Sequence, residues 1–130
     1  MAGFSDYLED KVLDHVFGGT AYTAPTTHYV ALYTVAPTDT GGGTEVTGGA
    51  YARQTSTFNV SGTSPTTATN AAAVEYPTAT ADYGTVVAVG IVDALTSGNL
   101  LAYANLDTSK VVSSGDVFRF DAGDLDITLA

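Results

Sequence analysis

The chain has 130 residues, no cysteine and no tryptophan, and its 14 acidic residues outnumber four basic ones for a formal charge of −10. The length suits one compact domain, and a hydrophobic content of 45% is enough for a core. Without cysteine there is no disulfide framework or thiolate metal site, and the scattered cations Lys11, Arg53, Lys110 and Arg119 form no basic patch for nucleic acid or an anionic membrane.

A helix is predicted in FSDYLEDKVLDHVFGG, residues 4–19. Leu8, Val12 and Val16 recur at helical spacing, and Leu13 and Phe17 widen the stripe. Ser5 is the expected N-cap, Asp6 and Glu9 suit the positive end of the helix dipole, and Gly18 and Gly19 supply the stop. Asp6, Glu9, Asp10 and Asp14 make the outer face acidic. A helix this short is marginal alone and must pack on something. No cationic segment and apolar run opens the chain, and no stretch approaches the roughly 20 apolar residues of a membrane helix. The expectation is a chain made in the cytoplasm and kept off membranes.

After Gly19 the pattern is strands and turns. His28 to Val35 is apolar on both faces, with Tyr29, Ala31 and Tyr33 on one and Val30 and Leu32 on the other. That predicts a central strand covered on two sides, by a second sheet and by the helix. Residues 38–50 form a glycine-rich loop with five glycines between Gly41 and Gly49, and Glu45 and Val46 are its only bulky groups. No Lys followed by Ser or Thr closes it, and G-x-G-x-x-G is absent, so it lacks the marks of a phosphate cradle. It reads as a surface excursion that either stays solvated or plugs into a neighbour.

Tyr51 to Val60 is predicted to be extended, Thr63 to Asn70 turn-prone, and Ala71 to Tyr76 a short strand. Thr85 to Val92 is the most hydrophobic run, and Gly90 within it signals a bulge or a close neighbour. Leu100 to Leu106 completes a hairpin across a loop at Asp93 to Asn99. Short strands follow at Lys110 to Val112, Val117 to Phe120 and Leu125 to Leu129. The fold class is therefore mostly β, a β-sandwich or jelly-roll-like fold with one N-terminal α-helix: a single domain with the helix in 1–19 and the sandwich in 26–130.

Chemistry finds little purchase. Asp116, Asp121, Asp124 and Asp126 cluster near the C-terminus, and Asp124 and Asp126 would share a strand face. Such a pair can hold Ca²⁺ or act as acid and base, but aspartate also caps turns and strand ends, and that structural role is preferred. His15 and His28 are too few for a three-histidine zinc site, and neither H-E-x-x-H nor G-x-S-x-G occurs. The reading is a non-enzyme with no catalytic residue, no metal and no cofactor. Eight tyrosines remain, and Tyr22, Tyr76 and Tyr83, in or beside connections, serve either the core or an interface.

The segments FSDYLEDKVLDHVFGGTAYTAP, HYVALYTVAPTD, GGGTEVTGGAYARQ and NLLAYANLDTSKVVSSGDVFRFDAGDLDITLA, in that order, resemble a family of small tailed-bacteriophage virion proteins commonly labelled tail-fibre-like. The resemblance implies a virion component, built of repeated contacts with other virion proteins and with its own copies in a symmetric oligomer such as a trimer. It brings no catalytic motif. The primary expectation is a structural tail-fibre or tail-appendage protein. A capsid cement or decoration protein is the alternative, and a glycan- or receptor-binding module the second. Glu45, Val46, Tyr22, Tyr76 and Tyr83 are the interface residues this reading selects, with the glycine loop as an arm ordered by strand addition or by plugging a pocket.

Overall fold

A computed structural model describes residues 3–63 and 65–129. Its centre is an antiparallel sheet built on three long strands, β2 (His28–Val35), β8 (Gly84–Val92) and β9 (Leu100–Val112), in the order β9-β8-β2. β1 (Gly3–Phe4) pairs with β9 at Tyr103 and Ala102. On the far side β2 receives β3 (Thr44–Glu45) and β4 (Gln54–Ser56). Two smaller antiparallel sheets complete the β structure. One is β5 (Phe58–Ser61), β6 (Thr66–Asn70) and β11 (Asp126–Leu129), with β6 in the middle; the other pairs β7 (Val74–Glu75) with β10 (Arg119–Phe120).

Alternation along the central strands decides the layers. Val30 and Leu32 of β2, Val89 and Ile91 of β8 and Ala102 of β9 meet Val74, Phe118, Phe120 and Leu125 in the main core, with Phe58 and Ile127 packed at its margin. The small sheets thus close one face of the large one, as the sandwich expectation requires. On the opposite face Ala31, Tyr33, Ala88 and Val92 form a second, smaller cluster. Gly90 lies in that layer because a side chain would collide there: a Cβ would sit 2.8 Å from the Tyr33 ring and 2.9 Å from Leu100 Cδ1. The glycine signals a close neighbour, and a register shift follows at Ile91 and Val92.

The helix α1 runs from Asp6 to Leu13 and continues as a wider π-helical turn, Asp14–Gly18, before Gly19 stops it at φ 76°. Ser5 caps it: its hydroxyl accepts the Leu8 N–H and donates to the Leu100 carbonyl, tying the helix start to β9. The predicted stripe is only partly buried. Tyr7 and Leu8 pack against the core, whereas Leu13, Val16 and Phe17 are exposed, Phe17 by 83%. Helical periodicity identified the apolar face, but the second half of that face has no sheet beneath it.

Two further expectations change. The Thr-rich segment read as a turn contains β6, which pairs on both sides, since β-branched threonines suit an extended chain. The segment Lys110 to Val112 is no separate strand but the end of β9, re-paired with β8 at Val86 to Gly84 after a register shift.

Candidate functional site

The glycine-rich segment is built into the subunit. The chain turns at Thr38 and Gly41, whose backbones exchange two hydrogen bonds, then returns along β2 as β3. Gly43 makes the return possible: its φ is +74°, and a Cβ there would lie 2.6 Å from the Val35 carbonyl oxygen. The strand added by this loop is added to its own sheet. Val46 is 3% exposed and donates its N–H to the Leu32 carbonyl, so it fills the subunit's own core rather than presenting a plug.

Glu45 is likewise turned inward. Its carboxylate accepts hydrogen bonds from Tyr51 Oη (2.6 Å), Arg53 Nε (2.9 Å) and Arg53 Nη2 (2.8 Å). Arg53 Nη1 donates on to the carbonyls of Ala94 and Ser97, at 2.8 and 2.7 Å. One guanidinium therefore ties the glycine loop to the β8–β9 connection, with the bidentate geometry that favours arginine over lysine. Burial pushes the Glu45 carboxyl up, but the hydrogen bonds from Arg53 and Tyr51 and the Arg53 charge outweigh it and hold the group below its ordinary range. Burial, then the bond to Glu45, drives the Tyr51 hydroxyl far above the usual phenol value.

The selected tyrosines are mostly core. Tyr76 is 1% exposed, donates to the Val30 carbonyl at 2.7 Å, and stacks on Tyr51 with ring centroids 5.9 Å apart. Tyr83 is also buried, packs edge-on to Tyr51 and donates to the Pro77 carbonyl. Neither has surface to offer a partner. Tyr22 is half-buried and lies edge-on to Tyr7, its backbone N–H bonded to His15 Nδ1, which folds the segment after the helix back onto it.

The C-terminal aspartates act as local ties. Asp116 accepts the Ser113 N–H, Asp124 the Asp121 N–H, Asp126 the Thr69 hydroxyl, and Asp121 pairs with Arg119. Asp124 precedes β11 and does not share a strand with Asp126. Among the described residues no group of three or more His, Asp or Glu side chains converges on a metal-sized space.

Clefts are open instead, one of them along Glu45, Tyr51 and Arg53. A polar one of about 570 Å³ lies between the start of α1, the Thr38–Gly42 turn and the Ser97–Leu100 segment, with Tyr7, Tyr33, Asp6, Asp39 and Asn99 on its walls. Asp39 accepts the Tyr103 hydroxyl beside it. An apolar groove of about 430 Å³ runs between β9 and the C-terminal strands, floored by core residues such as Val89, Ile91 and Phe118. Neither cleft was visible in the sequence, because each joins segments that only the fold brings together, Ser5 and Leu100 in the polar one and Val89 and Ile127 in the apolar one.

Structural hydrogen bonds hold the loops, and Leu13, Val16 and Phe17 of the helix are exposed. Among known families, the model of the podophage GP4 fiber I protein gp80 matches residues 3–128. The chain belongs to this family. The match spans the helix and nearly all of the described strands. No curated protein matches the chain.

Proposed function

We propose that this protein is a non-enzymatic structural subunit of a tailed-phage particle, a tail-fibre or tail-appendage component that works through contacts with its own copies and with other virion proteins. The observation that carries the reading is the fibre-family match over residues 3–128. The structure supports it. The charged groups with partners are spent on holding loops, as Arg53 is on Glu45, Ala94 and Ser97, and the exposed apolar residues of the helix suit a protein with neighbours. A reconstruction of the virion tests this directly. The expected result is density for this fold in tail fibres, in tens of copies or fewer. Placement on the outer head in hundreds of copies would favour the capsid-decoration alternative and overturn the fibre assignment.

A second reading, a glycan-binding module, draws on the polar cleft, where tyrosine rings and carboxylates line a space of small-ligand size. Saturable binding on a glycan array, lost on Tyr7→Ala, is the result that would support it. An array with no binding by the assembled protein would exclude it.

A further inference from the structure

Tyr33 of β2 is 6% exposed, yet its hydroxyl meets no hydrogen-bond partner among the described residues. Buried hydroxyls are ordinarily bonded. The Tyr22 hydroxyl, which also lacks a partner, is sealed from solvent, whereas Tyr33 lines the polar cleft. Its ring lies across Gly90, where a Cβ would stand 2.8 Å from Cε2 and 3.3 Å from Oη, so packing fixes its direction. Burial, then the Glu45 carboxylate, raises its pKa, so the hydroxyl stays neutral and can donate. Arg53 lines the same cleft. Four of its five N–H groups are committed to Glu45, Ala94 and Ser97, and one on Nη2 is left over.

We propose that this cleft binds a sugar residue of a neutral glycan, with the Tyr33 hydroxyl and the spare Arg53 N–H donating to its inner oxygens. This deepens the glycan-binding reading above and rests on it. The ligand class follows from which groups stand where. Tyr33 and the Arg53 side chain, 10% exposed, make a floor of donors, which suits an ether or hydroxyl oxygen. The rim offers acceptors. Asp6 and Asp39 are exposed carboxylates, and Asn99 keeps its amide oxygen free because its Nδ2 is bonded to Asp93. Asp39 accepts the Tyr103 hydroxyl through Oδ1, which leaves Oδ2. The Tyr7 ring adds an apolar wall for C–H groups. A pyranose presents both oxygens and hydroxyl donors around one apolar-faced ring, and about 570 Å³ falls in the range of about 300–1,000 Å³ for small-ligand sites. Charge narrows the class. The Arg53 charge is matched by Glu45, so Asp6 and Asp39 leave the rim negative, offset in part by Lys11, whose Nζ lies 5.6 Å from the Tyr7 ring centroid. An acidic sugar would set its carboxylate against the two aspartates. An ammonium gains little at an exposed rim, where water screens both carboxylates, and it has no lone pair for the floor donors.

The test uses the full chain on a glycan array carrying neutral, acidic and amino sugars, followed by NMR titration with the arrayed glycan that binds. A neutral glycan is the expected ligand. Tyr33→Phe removes the hydroxyl and keeps the ring. It is expected to weaken binding by about 3- to 10-fold, the worth of one neutral hydrogen bond. Its thermal unfolding temperature is not expected to fall, because no bond within the subunit is lost. That split separates a ligand-facing hydroxyl from a structural one: a Tyr33→Phe variant that unfolds at clearly lower temperature gives the hydroxyl a role in the fold and overturns the proposal. Binding of a neutral glycan that Tyr33→Phe leaves unmoved, or an array that answers only to acidic or amino sugars, overturns it while the glycan-binding reading stands. An array with no binding at all overturns both.

Discussion

Replacing Glu45 by Gln isolates the tie between the glycine loop and the β8–β9 connection. The carboxylate accepts three hydrogen bonds between 2.6 and 2.9 Å, and the side chains of its ion pair with Arg53 are 24% and 10% exposed. A glutamine keeps one acceptor oxygen and turns an NH₂ towards the Tyr51 hydroxyl or the guanidinium, both of which donate here. Arg53 keeps its two carbonyl acceptors but loses its counter-charge. Losing a charge-assisted bond costs about 1.5–3 kcal/mol and stranding a buried charge about 3–5, so a partly solvated pair should lose about 2–4 kcal/mol. For a chain of this size that lowers Tm by about 6–15 °C. The assay is thermal unfolding by circular dichroism for Glu45→Gln, Arg53→Gln and the double variant. The pairwise coupling should exceed about 1 kcal/mol. The pH dependence supplies the sign. Glu45 is held below its ordinary pKa, so its contribution is complete above the unfolded value of about 4.3 and is lost as pH falls through the lower folded value. The acid limb of the wild-type stability curve should therefore flatten in Glu45→Gln. Single variants that cost less than about 0.5 kcal/mol and add without coupling would refute the claim that this ion pair holds the loop.

Asn70 is 2% exposed and makes four side-chain bonds, to the carbonyls of Ala72 and Asp121 and from the N–H groups of Gly123 and Leu125; Asn70→Ala strands these groups and should cost about 3 kcal/mol or more by chemical denaturation. Gly90→Ala presses a methyl to within 3 Å of Tyr33 and Leu100 and should destabilise by about 1–3 kcal/mol, with Leu100→Ala partly restoring stability. Tyr76→Phe removes the 2.7 Å bond to the Val30 carbonyl and should cost about 1–2 kcal/mol in thermal unfolding while leaving the near-ultraviolet signal of the aromatic cluster folded in form.

What could be read in advance was what depends on a residue and its immediate neighbours. β2 has the predicted bounds, its two faces divide as the alternation requires, and Ser5 and Gly19 begin and end the helix. Period two and local capping are short-range physics, and tertiary contacts only reinforce them. The misreadings lie where a residue's meaning depends on a partner brought from afar. Val46 among glycines looks like a plug, and it is one, but its pocket is the chain's own core. The glycines that suggested a free arm are what let the backbone double back at positive φ and close on β2. A clue was available. Arg53 is one of only four cations, and Tyr51 and Arg53 lie two apart in a segment read as extended, so a carboxylate across the turn was the economical partner for both.

The helix makes the complementary case. Its stripe from Leu8 to Phe17 is a single continuous signal in the sequence, yet the fold uses the first half and leaves the second bare. Periodicity reports that a face is apolar; it does not say which molecule will cover it. Solvation favours polar residues at positions that stay exposed, and an exposed Phe17 at the end of a marginal helix brings the isolated subunit no stabilisation. The groove is a smaller case: Val89, Ile91, Phe118 and Phe120 at its floor are buried, and only Ala104 and Leu106 are half-buried beside the edge of β9 that has no strand partner among the described residues. In a protein that worked alone, both would be costs in solubility with no return. Under the fibre-subunit proposal, such a surface is a cost only until a neighbouring virion protein covers it.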